Sequence, residues 1–368
     1  MDFFGDRRCP WQAGRLAPRL CGWARFGLRS SSFSAMRRTY VLTPFALLFA
    51  LALHIACSEA PAPEAAPAAE AAPAGRLEKV ADGVWFRLGE RDQGHCNNAV
   101  IELSDGLLVV DANFPSGAKL VMEDVKTVSD KPVKWVFDTH HHGDHAYGNA
   151  LWTRAGATTL AYVGVAQEIG RYEPGRWQEA SKTRPDVAEV GLDTLEPPKE
   201  TFSETPHILE DPLRRVEFHH FGWAHTRGDG FVYLPAEKIL ATGDAVVNGA
   251  FNYTGDGNTG NWPNVVAGAM ALDVEHVLPG HGPRGGKEVL EGQKAFFDFV
   301  NKAVGEAFDA GKKMDEVVTV ADGKGKSTTI EPPAEVRNWV GDGFPEQVRV
   351  RWTELAEGKP HGAILGGE

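Results

Sequence analysis

Cysteine is scarce in this sequence: 368 residues contain four, and they form no disulfide framework. Three of them, Cys9, Cys21 and Cys57, precede the part of the chain that has globular composition, which leaves Cys96 alone within it. A small secreted domain stapled by disulfides is therefore excluded, and the fold must depend on its hydrophobic core. We predict that Cys96 is a buried thiol.

Positive charge is also in short supply, since 38 Lys and Arg face 50 Asp and Glu and the net charge is −12. The first 56 residues contain eight Arg, two Asp and no Lys, so they carry +6 and leave −18 on the remainder. Such an acidic surface repels phosphate backbones and disfavours a nucleic-acid partner. The sequence also lacks Gly-X-Ser-X-Gly and any Walker-type loop, which excludes the corresponding serine hydrolases and nucleotide-binding proteins.

No apolar run is long enough to span a bilayer, which needs about 20 residues. Residues 36–57 have a basic head and an apolar stretch that Pro44 interrupts and Cys57 ends, which is typical of a secretory signal peptide. The end of this run resembles a bacterial lipoprotein site, where Cys57 would be acylated. Residues 1–35 are rich in Arg and Ser, and we interpret them as an upstream extension with Met36 as the start. An organelle transit peptide is the alternative.

Residues 58–75 are almost entirely Ala, Pro and Glu, a composition that cannot bury enough apolar surface to fold. We predict an extended linker that tethers a soluble domain to a membrane. This predicts an extracytoplasmic, periplasmic location for a folded domain over residues 76–290. A helical extension is predicted over residues 291–368.

After residue 76, short β-type runs bounded by turn residues alternate with helix-like stretches. This order predicts an α+β layered domain rather than an all-β sandwich or a helical bundle. The polar segment 171–212 is longer than most connections and is a candidate lid. The predicted strands are Val84–Leu88, Ala99–Leu103, Leu107–Val110, Val133–Phe137, Val216–His219, Phe231–Leu234 and Ile239–Ala241. The predicted helices are Ser116–Val128, Ala146–Ala155, Val163–Gln178 and Gly285–Ala310.

A dense group of ligand-type side chains follows one predicted strand. Alternation along the extended chain places His140 and His142 on the same side. A turn at Gly143 then lets Asp144 and His145 face the same space. The sequence therefore places two sets of ligands next to each other.

Three more candidates, His225, Asp244 and His281, lie at the ends of later β-type runs beside glycine, which permits the turn that directs a side chain into a cleft. Imidazole and carboxylate ligands without thiolate suit Zn²⁺ first, with Fe or Mn as alternatives. His141 alternates to the other side of its strand, so we exclude it.

The combined pattern of His-X-His-X-Asp-His, a distant His, then Asp and then Gly-His resembles the metallo-β-lactamase superfamily over about residues 76–290. The resemblance implies a four-layer αββα sandwich with a C-terminal helical appendage and two zinc ions per chain at one edge. It also implies that Asp111 orients a ligand from behind. The implied ligands are His140, His142 and His225 for one metal, Asp144, His145 and His281 for the other, and Asp244 between them.

The resemblance implies a hydrolase in which two cations acidify a shared water, with Asp144 as the catalytic residue that orients it. The substrate would be a small ester, thioester, lactone or β-lactam. Lactamases with a metal-binding Cys have it where this chain has Asp244, and a substrate-binding Lys where it has Val247. The chain is therefore more similar to the glyoxalase II and lactonase branches, which have a bridging Asp.

Two alternatives remain. One is a mononuclear-iron enzyme that oxidises sulfur species, and the other is a metal-stabilised accessory module without catalysis. A purely structural site needs four ligands and no open position, so seven intact ligands favour an enzyme. Five side chains beside the ligand segments are candidate substrate contacts: Tyr147, Trp223, Asn252, Asn261 and Trp262.

Overall fold

The computed structural model describes residues 76–173 and 175–366. Within these ranges, no helix combines the length and the hydropathy that crossing a membrane requires. The predictions of an upstream extension, a signal peptide, a lipidated Cys57 and a linker concern residues 1–75 and lie outside the described residues.

Seven strands form the first sheet in sequence order, β1 to β7. Strands β1 to β4 pair antiparallel, whereas β4 to β7 are parallel and are joined by helical crossovers. The strands are β1 Leu77–Ala81, β2 Val84–Arg87, β3 Asn98–Glu102, β4 Leu107–Val110, β5 Val133–Asp138, β6 Thr158–Tyr162 and β7 Glu200–Phe202.

Five strands form the second sheet in the order β12-β11-β10-β9-β8. The neighbours are antiparallel except for β11 and β12, which are parallel. The strands are β8 His207–Glu210, β9 Arg215–His219, β10 Phe231–Leu234, β11 Ile239–Gly243 and β12 His276–Pro279. A separate hairpin consists of β13 Val318–Ala321 and β14 Lys324–Thr328.

Eleven α-helices lie in the described part of the chain. They are α1 Pro115–Val125, α2 Gly143–Ala146, α3 Asn149–Arg154, α4 Val163–Tyr172, α5 Gly175–Thr183, α6 Pro185–Ala188, α7 Trp262–Met270, α8 Lys287–Asp309, α9 Met314–Val317, α10 Phe344–Glu357 and α11 His361–Gly366.

The two sheets pack face to face, and the side-chain alternation of β4 shows how. Leu108 and Val110 join a core that also contains Phe218 and Val232 of the second sheet. The other residues of β4 point outward, where Val109 packs with residues of α1. Because β4 is buried on both faces, it is a continuous apolar run in the sequence.

Helices cover both outer faces. Helix α1 packs on the first sheet, and α7, α8 and α10 pack on the second, where Phe296 and Phe297 of α8 are fully buried. This confirms the predicted αββα sandwich and its C-terminal helical region. Helix α8 runs across residue 290, where we predicted a boundary between domains.

The strongly apolar strands were predicted well, and β4 and β10 have the predicted limits. The helix predicted over residues 163–178 is instead two helices, α4 and α5. Glu173 is extended, with φ −91° and ψ 144°, because a proline at position 174 disfavours helical backbone in the preceding residue.

Candidate metal centre

The ligand-type side chains lie on loops that follow strands at one edge of the sandwich. His140 to His145 follow β5, His225 follows β9, Asp244 follows β11 and His281 follows β12. Because β11 and β12 are parallel, their carboxyl ends lie at the same edge. The structure brings all seven residues of the predicted set together there.

The first group, which we call the histidine trio, consists of His140, His142 and His225. One ring nitrogen from each lies within 4.8 Å of the others. The Nε2 atom of His225 is 2.9 Å from Nδ1 of His142, so these two rings direct nitrogen atoms at the same point.

The second group, the mixed trio, consists of Asp144, His145 and His281, whose ligand atoms also lie within 4.8 Å of one another. Oδ2 of Asp144 is 3.0 Å from Nε2 of His281 and 3.4 Å from Nε2 of His145.

Asp244 lies between the two trios. Its Oδ1 is 3.4 Å from Nε2 of His145, and its Oδ2 is 3.4 Å from Nε2 of His281. Oδ2 is also 3.8 Å from Nε2 of His225 in the histidine trio. One carboxylate therefore contacts both groups.

Several of these donor atoms are buried without a partner. Three of them make no hydrogen bond to any residue the structure describes: Nε2 of His140, Nε2 of His145 and Oδ1 of Asp244. Buried polar atoms are almost always satisfied, and leaving them unpaired costs free energy. Cations held between the trios would satisfy all three, so the residues present fit a metal centre.

The histidine trio is suited to metal by its protonation state. Burial lowers the pKa of His225 to about 3 and holds the pKa of His140 well below its usual range, with the neighbouring imidazoles adding to the effect. Both rings are therefore neutral at pH 7 and present a lone pair, which is the form that binds metal.

Contacts behind the ligands fix the ring orientations. Nδ1 of His145 donates to Oδ2 of Asp111 at 2.8 Å, and Nδ1 of His225 donates to the carbonyl of Tyr253 at 2.9 Å. Asp111 also accepts from the backbone N–H of Thr139 at 2.8 Å. It therefore lies where the resemblance implied, behind a ligand and the turn that carries the ligands.

Asp256 is a further site residue that our reading of the sequence missed. It is fully buried, and its carboxylate accepts from Nε2 of His142 at 2.8 Å, which leaves Nδ1 of that ring facing the trio. Arg176 of α5 donates two further bonds to it, at 2.7 and 2.8 Å. Asp256 belongs to no motif of the sequence, and only its neighbours Gly255 and Gly257 marked a tight turn.

His141 lies outside both trios, as its alternation along the chain predicted. Its Nε2 accepts from Arg176 at 3.3 Å, and burial lowers its pKa to about 3. A third group of ligand-type atoms, from His141, His142 and Asp256, also lies within 4.8 Å of one another. The guanidinium of Arg176 already supplies the positive charge there, so this group supports the metal centre from behind.

The trios open into a cavity of about 380 Å³. Its wall contains Asp144, Arg176 and the aromatic side chains of Phe251 and Tyr253, together with four of the other ligands. The segment predicted as a lid, residues 171–212, therefore contributes Arg176 to this wall.

The five predicted substrate contacts are absent from the residues that line this cavity. Trp262 is fully buried and stacks on Phe297 with ring centroids 4.0 Å apart. The other four make internal hydrogen bonds. Tyr147 donates to Glu173, Trp223 to the carbonyl of Asp256, Asn261 to the carbonyl of Trp223, and Asn252 accepts from Gln293.

Gly280 gives a direct test of how closely the site is packed. A Cβ atom there would lie 2.1 Å from Oδ1 of Asp244 and 2.6 Å from the backbone of Gly243. We expect Gly280→Ala to displace Asp244, to reduce the content of bound metal, and to cost about 1–3 kcal/mol of stability. Elemental analysis measures the metal content, and thermal unfolding measures the stability. Gly305→Ala on α8, where a Cβ meets nothing within 4 Å, is the matched control, and equal metal content in the two variants would contradict the expectation.

Cys96 is a buried thiol, as predicted. Burial raises its pKa to about 12, so without a bound cation the thiol is neutral at pH 7 and unreactive. We expect iodoacetamide at pH 8 to leave Cys96 unmodified in the native protein and to label it after denaturation. Mass spectrometry of the peptide that contains Cys96 reads this directly. Labelling at the same rate in both states would contradict it.

Comparison with known proteins agrees with this geometry. Residues 91–310 match the family model described as the metallo-beta-lactamase superfamily. A metallo-beta-lactamase from Pontibacter korlensis superposes with a TM-score of 0.50 at 21% identity, covering 61% of this chain and 98% of its own. The metallo-beta-lactamase FIM-1 from Pseudomonas aeruginosa, in its mono-zinc form, gives 0.49 at 21% identity over 60% and 94%.

The chain therefore belongs to the metallo-β-lactamase superfamily, whose members are generally hydrolytic metalloenzymes. At 21% identity, the likeness to the Pontibacter protein concerns the fold.

Proposed function

We propose that this protein is a dinuclear zinc hydrolase that cleaves a small ester, thioester, lactone or lactam. The observation that carries the proposal is the pair of trios around Asp244, with buried ligand-type atoms that have no hydrogen-bond partner among the described residues. Two zinc ions bound there would lower the pKa of a shared water from about 15.7 towards 7 and polarise a carbonyl group.

The residues of the chain then have separate tasks. Asp144 lies in the cavity wall and is 3.0 Å from His281, so its carboxylate can accept a hydrogen bond from the attacking water and orient it. Phe251 and Tyr253 provide an apolar wall for the acyl part of a substrate. Neither a serine nor a cysteine nucleophile is needed, since the one described cysteine is a neutral, buried thiol.

Two positions make the site more similar to the glyoxalase II and lactonase branches, which have a bridging Asp, than to the lactamases that bind metal through Cys. Asp244 contacts both trios, as a bridging carboxylate must. Val247 is fully buried in the core of the second sheet, so this position offers the substrate no cation. Both observations support an ester, thioester or lactone ahead of a β-lactam.

A panel of substrates and a metal analysis test the proposal together. Protein purified without added metal should contain about two zinc ions per chain and should cleave at least one of a set of aryl esters, acyl thioesters, lactones and β-lactams. Chelation should abolish the activity and zinc should restore it. About one iron per chain with oxidation of persulfides would favour the sulfur-oxidising enzyme instead. No cleavage by fully metallated protein would favour an accessory module.

We also propose that the enzyme acts outside the cytoplasm, tethered to a membrane through the signal segment at residues 36–57 and the linker at residues 58–75. The basic head, the apolar run and the terminal Cys57 support this. Mass analysis of the mature N-terminus should find an acylated Cys57. An unmodified chain that retains residues 36–57 would contradict it.

A further inference from the structure

The loop at residues 252–256, which we call the support loop, orients two members of the histidine trio. The carbonyl of Tyr253 accepts from Nδ1 of His225, and the carboxylate of Asp256 accepts from Nε2 of His142, at 2.9 and 2.8 Å. The mixed trio is supported elsewhere, because Nδ1 of His145 bonds to Asp111. A displacement of the support loop would therefore disturb the histidine trio directly, whereas His145 of the mixed trio would keep its bond to Asp111.

Residues near the C-terminal end hold this loop. Gln347 of α10 donates Nε2 to the carbonyl of Asn252 at 2.7 Å, and His361 of α11 donates Nδ1 to the carbonyl of Gly255 at 2.8 Å. Arg349 donates to the other nitrogen of His361 at 3.3 Å, which leaves the proton on Nδ1. Gln347 and His361 are each 4% exposed, so both side chains are buried beside the loop.

The backbone of α11 also lies directly against the loop region. The N–H of Gly362 donates to the carbonyl of Gly257 at 3.1 Å. A Cβ atom at position 362 would lie 2.3 Å from the carbonyl oxygen of Asp256, so only glycine allows this approach. Glu354 of α10 adds a bond from the N–H of Thr259 at 2.9 Å.

We propose that the C-terminal segment, residues 344–366, is a positioning element of the metal centre. Gln347 and His361 fix the support loop, and the loop in turn fixes His142 and His225. This rests on the proposed binding of two metals. The segment lies beyond residue 310, where the match to the family model ends.

The experiment measures zinc affinity at each trio separately, by competition with a chromophoric chelator on the full chain. His281→Ala weakens the mixed trio and leaves the histidine trio to be titrated, and His225→Ala does the converse. In the His281→Ala background, the double change Gln347→Ala and His361→Leu should lower the zinc affinity of the histidine trio about 10-fold, as loss of support behind a ligand typically does. In the His225→Ala background, the same double change should leave the zinc affinity of the mixed trio unchanged.

Two further variants separate positioning from general damage. His361→Asn places an amide nitrogen near the position of Nδ1. Used in place of His361→Leu, it should restore most of the zinc affinity of the histidine trio. Thr353→Ala is the matched control, because Thr353 lies on α10 and its hydroxyl bonds only to the carbonyl of Arg349. It should leave both affinities unchanged.

Equal losses at both trios, or unchanged affinity at the histidine trio, would overturn the proposal. A change in KM alone, with both zinc affinities intact, would also overturn it and assign the segment to substrate binding. That assignment has a structural basis, since Tyr253 also borders a second cavity of about 640 Å³ lined by residues of β14 and α10. Failure of the hydrolase proposal gives a different result: two zinc ions bind normally, but no substrate in the panel is cleaved.

Discussion

Replacing His140 and Asp144 together with alanine is expected to remove the bound zinc and to reduce turnover to the uncatalysed background. The change deletes one ligand from each trio. The histidine trio keeps His142 and His225, and the mixed trio keeps His145 and His281. Each pair could complete three protein ligands only by using Asp244, which the other pair would need as well.

Elemental analysis and initial rates on the best substrate of the panel measure this result. His219→Ala is a suitable control, because His219 is also a buried histidine but bonds to Glu217, away from both trios. It should retain zinc and turnover. If the double variant kept its turnover, the metal-dependent mechanism would be wrong. If it lost turnover but kept two zinc ions, the assignment of these two residues as ligands would be wrong.

Asp256→Ala is expected to have the largest effect of any change outside the seven ligands. It removes the acceptor for Nε2 of His142, so that ring is free to rotate its Nδ1 away from the trio. It also leaves the guanidinium of Arg176 without its carboxylate partner. We expect zinc affinity at the histidine trio to fall about 10–100-fold, the range found when partners behind metal ligands are lost.

Asp256→Asn refines the test, since the amide keeps one acceptor oxygen and loses the charge that balances Arg176. Its effect should lie between that of alanine and the parent. Asp124→Asn is the matched control: Asp124 also accepts a bond from a buried arginine, Arg87, at 2.7 Å, but touches none of the seven ligands. Normal zinc affinity in Asp256→Ala would show that His142 is oriented without it.

The seven residues that the structure brings together were predicted from the sequence because most of them lie just after strands with clearly apolar residues. Val133–Phe137 predicted a buried strand, and the alternation after it separated His140 and His142 from His141. The role of Asp111, which lies behind His145, came from the family resemblance and not from this alternation.

Asp256 and Arg176 could not be predicted in the same way. They are 80 residues apart, and their pairing depends on α5 lying beside a loop that follows β11. The short strands β7 and β8 were missed because they are largely exposed and polar. Their place at the ends of the sheets comes from tertiary pairing, which overrides weak local preference.

Each oxygen of the Asp244 carboxylate faces a nitrogen of the mixed trio, and one also reaches His225. If two cations bind as proposed, the first would fix a group that the second must share. The two binding events would then be thermodynamically linked, and the linkage would be reciprocal whichever trio filled first. Zinc uptake should deviate from two independent isotherms, and Asp244→Ala should make the isotherms independent.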